Sequence, residues 1–302
     1  PVQIGTSSWT AVKLGDSHAV ALRSDSGLFA WGLNSSGQIG DATTVNKSSP
    51  VQVGTSSWAA VAAGGSFTNA IRSGGSLFGW GNNVATNINA TVAWSSLSFG
   101  NSFAVAVKSD GSMWTWGYGG FGVLGDNTGS ATRRSSPVQI GTSSWTVASA
   151  GFNHVLAIRK DGALFTWGYN KYGTLGDGTA TSLNSRSSPV QIGTSSWTAI
   201  GGGQQHSIAL RSDGGLFMWG SNNAGQLGDG TIINRSSPVQ VGTNSWTTLN
   251  AGHNSYGNPA ALKGSTLFIW GNGSGGALGN SSTISQSSPT VLRNTTVTSP
   301  IQ

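Results

Sequence analysis

The chain has 302 residues, of which only 8% are charged, against roughly 25% in an average soluble domain; it carries 47 glycines and no cysteine, which excludes disulfide staples and thiolate metal sites. All nine acidic residues are aspartates, and 15 Lys and Arg bring the net charge to +6. That charge is thinly spread, with no basic run longer than Arg133-Arg134 or Arg159-Lys160, so the clustered cations that specific nucleic-acid binding needs are missing.

Reading from the first residue, Pro1-Val-Gln-Ile-Gly5 is a short extended run whose leading proline suits an outer strand. Trp9–Leu14 alternates polar and apolar residues and predicts a second strand. Gly15-Asp16-Ser17 turns into a third, His18–Arg23, and Ser24-Asp25-Ser26-Gly27 carries hairpin-turn chemistry. Leu28–Trp31 is the fourth strand, closed by Gly32, and a long loop follows to the next Pro-Val-Gln at Pro50. The same order then recurs. Trp9 leads to Trp31-Gly32, Trp58 to Trp80-Gly81, Trp94 to Trp116-Gly117, Trp145 to Trp167-Gly168 and Trp197 to Trp219-Gly220, each 22 residues apart; Trp246 leads to Trp270-Gly271 after 24. The repeats run approximately 1–49, 50–88, 89–136, 137–188, 189–237 and 238–302 within one domain, 1–302. A period near 50 residues marks a repeat architecture.

Glutamate is absent and helix-forming stretches are scarce, so the chain reads as all-β. Four short strands per period predict a β-propeller of four-stranded blades, because a sheet that small buries its faces only by stacking on its neighbours. Six repeats give six blades, or seven if the chain is an excerpt of a longer one; Pro1 stands where neither an initiator Met nor a signal peptide is present. A glycine follows each upstream tryptophan by six residues (Gly15, Gly64, Gly100, Gly151, Gly203, Gly252), either for close approach near the propeller axis or as a plain turn.

The segments Gly202–Leu210, Asp213–Gly220 and Gly225–Asp229 resemble the repeat of the regulator of chromosome condensation family, and the resemblance extends over essentially the whole chain. It implies a propeller, seven-bladed in most members. The family includes a nucleotide-exchange factor for a small nuclear GTPase that also binds nucleosomes, a secreted bacterial inhibitor that grips β-lactamases, and bacterial and phage proteins in surface roles. Fold follows from such a likeness far more firmly than function. The chain departs from the pattern in its second repeat, where Trp80 and Trp116 lie only 36 apart and the Gly-Gln-Leu-Gly and Ser-Ser-Pro-Val-Gln elements are missing. Asn89–Trp94 is expected to supply a substitute outer strand, and no acidic hairpin suited to opening a GTPase is evident.

Histidine recurs at one repeat position in His18, His154 and His206, with Phe67 and Phe103 in its place elsewhere. A position that accepts Phe is structural, so these rings are expected to be buried and bonded to a neighbouring strand. Arg23, Arg72, Lys108, Arg159 and Arg211 recur at another, mostly followed two residues on by an aspartate that compensates them. Lys47, Arg134, Arg186 and Arg235 each precede a Ser-Ser-Pro proline by three residues, in the long loops where binding function usually lives. One aspartate per loop is too few for calcium. Tyr118 and Phe121 in repeat three, and Tyr169, Lys171 and Tyr172 in repeat four, have no counterparts in the other repeats. Exposed aromatics of this kind serve protein- or sugar-binding surfaces.

No nucleophile–base–acid set, metal site or cofactor motif emerges, so the expectation is not an enzyme but a non-catalytic binding or structural propeller. It would act through its loop faces, on a protein or surface glycan, as a secreted, envelope or virion component of bacterial or phage type, without membrane insertion. The alternatives are a soluble inhibitor or regulator gripping one protein with one face and, behind it, a small-GTPase exchange factor. A surplus outer strand, suggested by Ser299–Gln302, offers an edge for self-assembly.

Overall fold

In the computed structural model, which describes residues 7–82, 93–128, 132–243, 245–252 and 257–292, the chain is a six-bladed β-propeller. The first blade comprises β1 (Trp9–Leu14), β2 (His18–Arg23), β3 (Leu28–Gly32) and β4 (Lys47–Gln52); the second, β5 (Trp58–Ala63), β6 (Phe67–Arg72) and β7 (Leu77–Gly81). The third holds β8 (Trp94–Phe99), β9 (Phe103–Lys108), β10 (Met113–Tyr118) and β11 (Arg133–Gln139). The fourth is β12 (Trp145–Ala150), β13 (His154–Arg159), β14 (Leu164–Gly168) and β15 (Arg186–Gln191). The fifth is β16 (Trp197–Gly202), β17 (His206–Arg211), β18 (Leu216–Gly220) and β19 (Arg235–Gln240). The sixth is β20 (Thr248–Asn250), β21 (Ala260–Lys263), β22 (Thr266–Gly271) and β23 (Gln286–Val291). Every sheet is an antiparallel meander.

The Ser-Ser-Pro strand, read from sequence as the start of a repeat, instead completes the preceding blade: β4 pairs with β3 through Phe29–Gln52 and Gly32–Lys47. The strand also begins three or four residues before its proline, which places Lys47, Arg134, Arg186 and Arg235 on strands rather than in free loop. The first Pro-led run, the substitute strand at Asn89–Trp94 up to Val92, the surplus tail at Ser299–Gln302 and the sixth blade's His253 lie outside the described residues.

Inner strands from all six blades surround one central cavity of about 410 Å³, lined among others by Leu14, Ala63, Phe99, Ala150, Gly202 and Ala251. Among the described residues, five apolar clusters fill the seams between consecutive blades. Each is a shared core that neither sheet could make alone. The packing is aromatic at one end: the upstream tryptophan meets a Phe edge-on, as in Trp9–Phe29 (5.3 Å) and Trp145–Phe165 (5.3 Å), and Trp114 takes that Phe slot beside Trp94 (6.3 Å). Such edge-on pairs contribute about 0.5–1.5 kcal/mol each beyond burial. An arginine then covers the Phe, with Arg23 at 4.6 Å from the Phe29 centroid and bonded to Asp25 at 2.6 Å. Arg159–Asp161 and Arg211–Asp213 repeat that pair. These cations are compensated locally, as their spacing predicts.

The seam from the sixth blade back to the first is the most exposed. Val12 and Leu14 of β1 are 51% and 53% exposed, while their counterparts Val61 and Ala63 on β5 are buried. Among the described residues, none of the five clusters joins those two blades.

Candidate functional site

Antiparallel connectivity puts the β3–β4 type of loop and the β1–β2 type of turn on one face of the propeller, and the Arg–Asp hairpins on the other. The loop face is built by a repeated polar knot. Asn34, fully buried, donates its Nδ2 to Asp41 Oδ1 (3.1 Å) and to the carbonyls of Thr43 (2.9 Å) and Val45 (3.2 Å), while its Oδ1 accepts the Ile39 N–H (2.9 Å). Asn170 and Asn222 do the same in the fourth and fifth blades. Each loop aspartate also accepts the N–H and hydroxyl of the threonine two residues on and pairs with the cation on its outer strand: Asp41–Lys47 at 3.0 Å, Asp126–Arg134 at 2.8 Å, Asp177–Arg186 at 2.9 Å, Asp229–Arg235 at 2.8 Å. Burial works to raise the Asp126, Asp177 and Asp229 carboxyls, but bonds from the threonines and arginines outweigh it and hold them below the usual range. The four cations singled out by sequence thus brace the loops; among them the ion pair occupies the charge. The Asn hubs were invisible to a search for charged or aromatic residues, although Asn at 34, 170 and 222 in register was a readable signal.

His18, His154 and His206 are each at most 4% exposed, and each reaches into the next blade. His18 Nε2 lies 2.9 Å from Thr68 Oγ1, His154 Nε2 2.9 Å from Ser207 Oγ, and His206 Nε2 2.7 Å from the Ala251 carbonyl. Thr68 spends its own proton on the Gln38 carbonyl (2.8 Å) and Ser207 on that of Thr174 (2.7 Å), so each hydroxyl accepts and each imidazole is the Nε2–H tautomer. The repeated glycine makes room for this ring: a Cβ at Gly203 would lie 2.5 Å from His206 Nε2. The histidines are inter-blade pins. Among the described residues no His/Asp cluster suited to a metal ion is found.

The aromatics behave differently. Phe121 and Tyr169, from adjacent blades, meet with centroids 4.5 Å apart and their planes inclined at 46°. Phe121 is 43% exposed and Tyr118 41%. Arg133 lies over the Tyr118 ring (4.9 Å), and Lys171 over Tyr172 (5.3 Å). Phe121 also holds a left-handed backbone (φ 61°), the conformation that Gly275 takes at the same place in the sixth blade. A bulky residue held there costs about 1 kcal/mol or more, a strain that concentrates at functional sites. Beside this patch a cleft of about 480 Å³ opens between the second and third blades, lined by Phe67, Asn69, Phe99, Trp116, Tyr118 and Ser135 among others. Asn69 escaped sequence reasoning; its signal was a polar residue at the register position held by Val20, Val105, Leu156 and Ile208 in other repeats.

Two models of the regulator of chromosome condensation repeat match the chain, one over residues 25–71, 110–158, 161–210 and 213–255, the other over 9–38, 94–123, 147–174 and 197–226. Among curated proteins, the chain is 28% identical over 179 residues to the ultraviolet-B receptor UVR8 of Arabidopsis thaliana, covering 58% of this chain and 40% of that one. It is 42% identical over 83 residues to the human probable E3 ubiquitin-protein ligase HERC3, covering 26% of this chain and 8% of that one. The chain therefore spans two-fifths or less of the length of these relatives. Among solved structures, Prp20p of Saccharomyces cerevisiae, described with its binding to Gsp1p and histones, superposes with a TM-score of 0.84 at 20% identity over 96% of this chain and 78% of that one. Human WBSCR16 superposes at 0.85 with 18% identity, over 96% and 82%. With the repeat models matching well over half of its residues, the chain belongs to the regulator of chromosome condensation repeat family.

Proposed function

We propose that this chain is a non-catalytic binding propeller that engages a protein through its loop face, centred on the third and fourth blades. One observation carries the reading: the exposed Phe121 ring meets the half-buried Tyr169 ring of the adjacent blade, on two loops braced by the Asp126–Arg134 and Asp177–Arg186 pairs. Aromatic side chains presented by a rigid scaffold bring large contact area at low conformational cost. Protein binding by Prp20p, toward Gsp1p and histones, fits the same use of the fold. The setting that accords with low charge and a Ser/Thr/Gly/Asn-rich surface is an exposed one, on a cell envelope, in a secretion or on a virion.

The asymmetry of the patch favours a second reading, a soluble regulator that grips one partner with this face, since among the described residues the exposed loop aromatics Tyr118 and Phe121 belong to one blade of six. Affinity capture from the native source, with the wild-type chain and with Phe121→Gly plus Tyr169→Ser, tests both. Recovery in an envelope or particle fraction assigns the structural role, and a single stoichiometric soluble partner assigns the regulator. Glycan-array binding without protein capture, or equal capture by the double variant, overturns the protein-binding face.

A further inference from the structure

We propose that the cleft between the second and third blades is a socket for a loop of the partner protein, one that inserts an aliphatic side chain and offers a backbone carbonyl to Trp116. This rests on the protein-binding reading above and names the chemistry recognised beside the aromatic patch.

The protein itself shows what fills this place elsewhere. In other blades the loop after Trp-Gly sends an aliphatic side chain into the seam: Ile39, Leu124, Leu175 and Leu227 are all at most 1% exposed. The carbonyl just before it accepts the indole N–H of the next blade's tryptophan. Gln38 O takes Trp80 Nε1 at 3.0 Å, Val123 O takes Trp167 at 2.9 Å, Thr174 O takes Trp219 at 2.9 Å and Gln226 O takes Trp270 at 2.8 Å. The glycine just after it lies flat on that indole, since a Cβ on Gly125 or Gly228 would stand 2.7 Å from the ring nitrogen. A loop N–H then reaches a serine carbonyl on the neighbour's outer strand, as Asn127 to Ser187, Gly178 to Ser236 and Gly230 to Ser287, each at 2.8 Å.

The second repeat has no Gly-x-Leu-Gly between Asn82 and Ala93. Across the seam from it, Trp116 is the tryptophan that such a loop would meet, and among the described residues its indole N–H has no hydrogen-bond acceptor. Ser135, the counterpart of Ser187 and Ser236, lines the cleft beside Trp116, Phe99 and Ala104. The floor is Asn69, 1% exposed, with neither Oδ1 nor Nδ2 bonded. An amide in a slot that elsewhere holds Val, Leu or Ile is costly while unpaired, and it presents the adjacent donor and acceptor that a peptide group satisfies. An aliphatic side chain against Phe67, Phe99 and Trp116, a carbonyl for Trp116 and a peptide group for Asn69 define the occupant.

The test uses protein labelled with 15N at its tryptophan indoles, with Trp116→Phe assigning the resonance. The probe is a ten-residue peptide copying residues 222–231, this chain's own plug. Binding is expected to shift the Trp116 resonance and slow its exchange with water at least tenfold, and a peptide carrying Leu227→Asp is expected to do neither. Asn69→Val is expected to weaken the peptide by roughly tenfold while raising the urea midpoint, a combination that a purely structural asparagine would not give. No movement of the Trp116 resonance at millimolar peptide overturns the socket. So does an indole proton already protected in the free protein, which would mean the chain fills its own cleft, or an unchanged affinity in Asn69→Val. If Phe121→Gly plus Tyr169→Ser abolishes partner capture while the peptide leaves Trp116 unmoved, the socket fails and the binding face stands.

Discussion

His18→Phe should remove a defined portion of this protein's acid sensitivity. The ring is 4% exposed, its Nε2–H is donated to Thr68 and its Nδ1 is buried with no partner. A second proton would place an uncompensated charge in the seam. Burial therefore pulls the imidazole from 6.5 to about 4, against a smaller upward pull from Asp16. A folded value below the unfolded one means that the stabilisation is complete above pH 6.5 and is lost as pH falls toward 4. Between pH 7.5 and 4.5 the wild type should lose about 2–3 kcal/mol through this residue alone, from the linkage relation. Phe already fills the same slot at positions 67 and 103, and Thr68 keeps its bond to Gln38, so at pH 7.5 the variant should stay within about 1 kcal/mol of the wild type. Urea unfolding at the two pH values measures both quantities. Parallel losses in wild type and variant would refute the buried-neutral assignment.

Other consequences follow from the same seams and knots. Trp219→Phe deletes the indole bond to Thr174 and leaves that carbonyl with only the Ser207 hydroxyl as donor, for a loss of about 1 kcal/mol; Trp31→Phe should cost less, because among the described residues the Trp31 indole N–H has no acceptor, and equal urea midpoints for the two would contradict this account. Asp229→Asn breaks the pairing with Arg235 and weakens the loop around Asn222, so amide exchange should accelerate at Leu227 and Thr231 while strands of the distant second blade keep their rates. Below pH 4 the wild type should lose further stability as Asp126, Asp177 and Asp229 protonate: their folded values are depressed, so the contribution is present above the unfolded value and fades as pH falls through the folded one, and calorimetry at pH 5, 3.5 and 2.5 follows it. Phe121→Gly should raise the melting temperature slightly by relieving the left-handed backbone, and a marked fall would show the ring to be a core element instead.

Periodicity made the fold readable. Six Trp to Trp-Gly intervals and alternating six-residue strands specify a small sheet that must stack, and the histidine slot shared with Phe announces a buried structural ring before any coordinates. The phase of the blade was not readable, because a Pro-led strand has the same local chemistry whether it opens one sheet or closes the previous one; only pairing of Gly32 with Lys47 decides it. For the same reason the loop cations looked free. Their partners Asp41, Asp126, Asp177 and Asp229 lie six to nine residues away on the far side of a turn, and spacing alone does not show a turn bringing them to 3 Å. The slips in the pattern were visible as slips, yet their meaning was tertiary. The 36-residue interval after Trp80 is a property of the chain; that Asn69 is buried without a partner, in a cleft shared with Trp116, is decided by how the second and third blades face each other. Sequence by itself settled what each repeat is, because strand, turn and aromatic pairing are local. What differs between repeats depends on which neighbour faces which, and only the packed propeller supplies that.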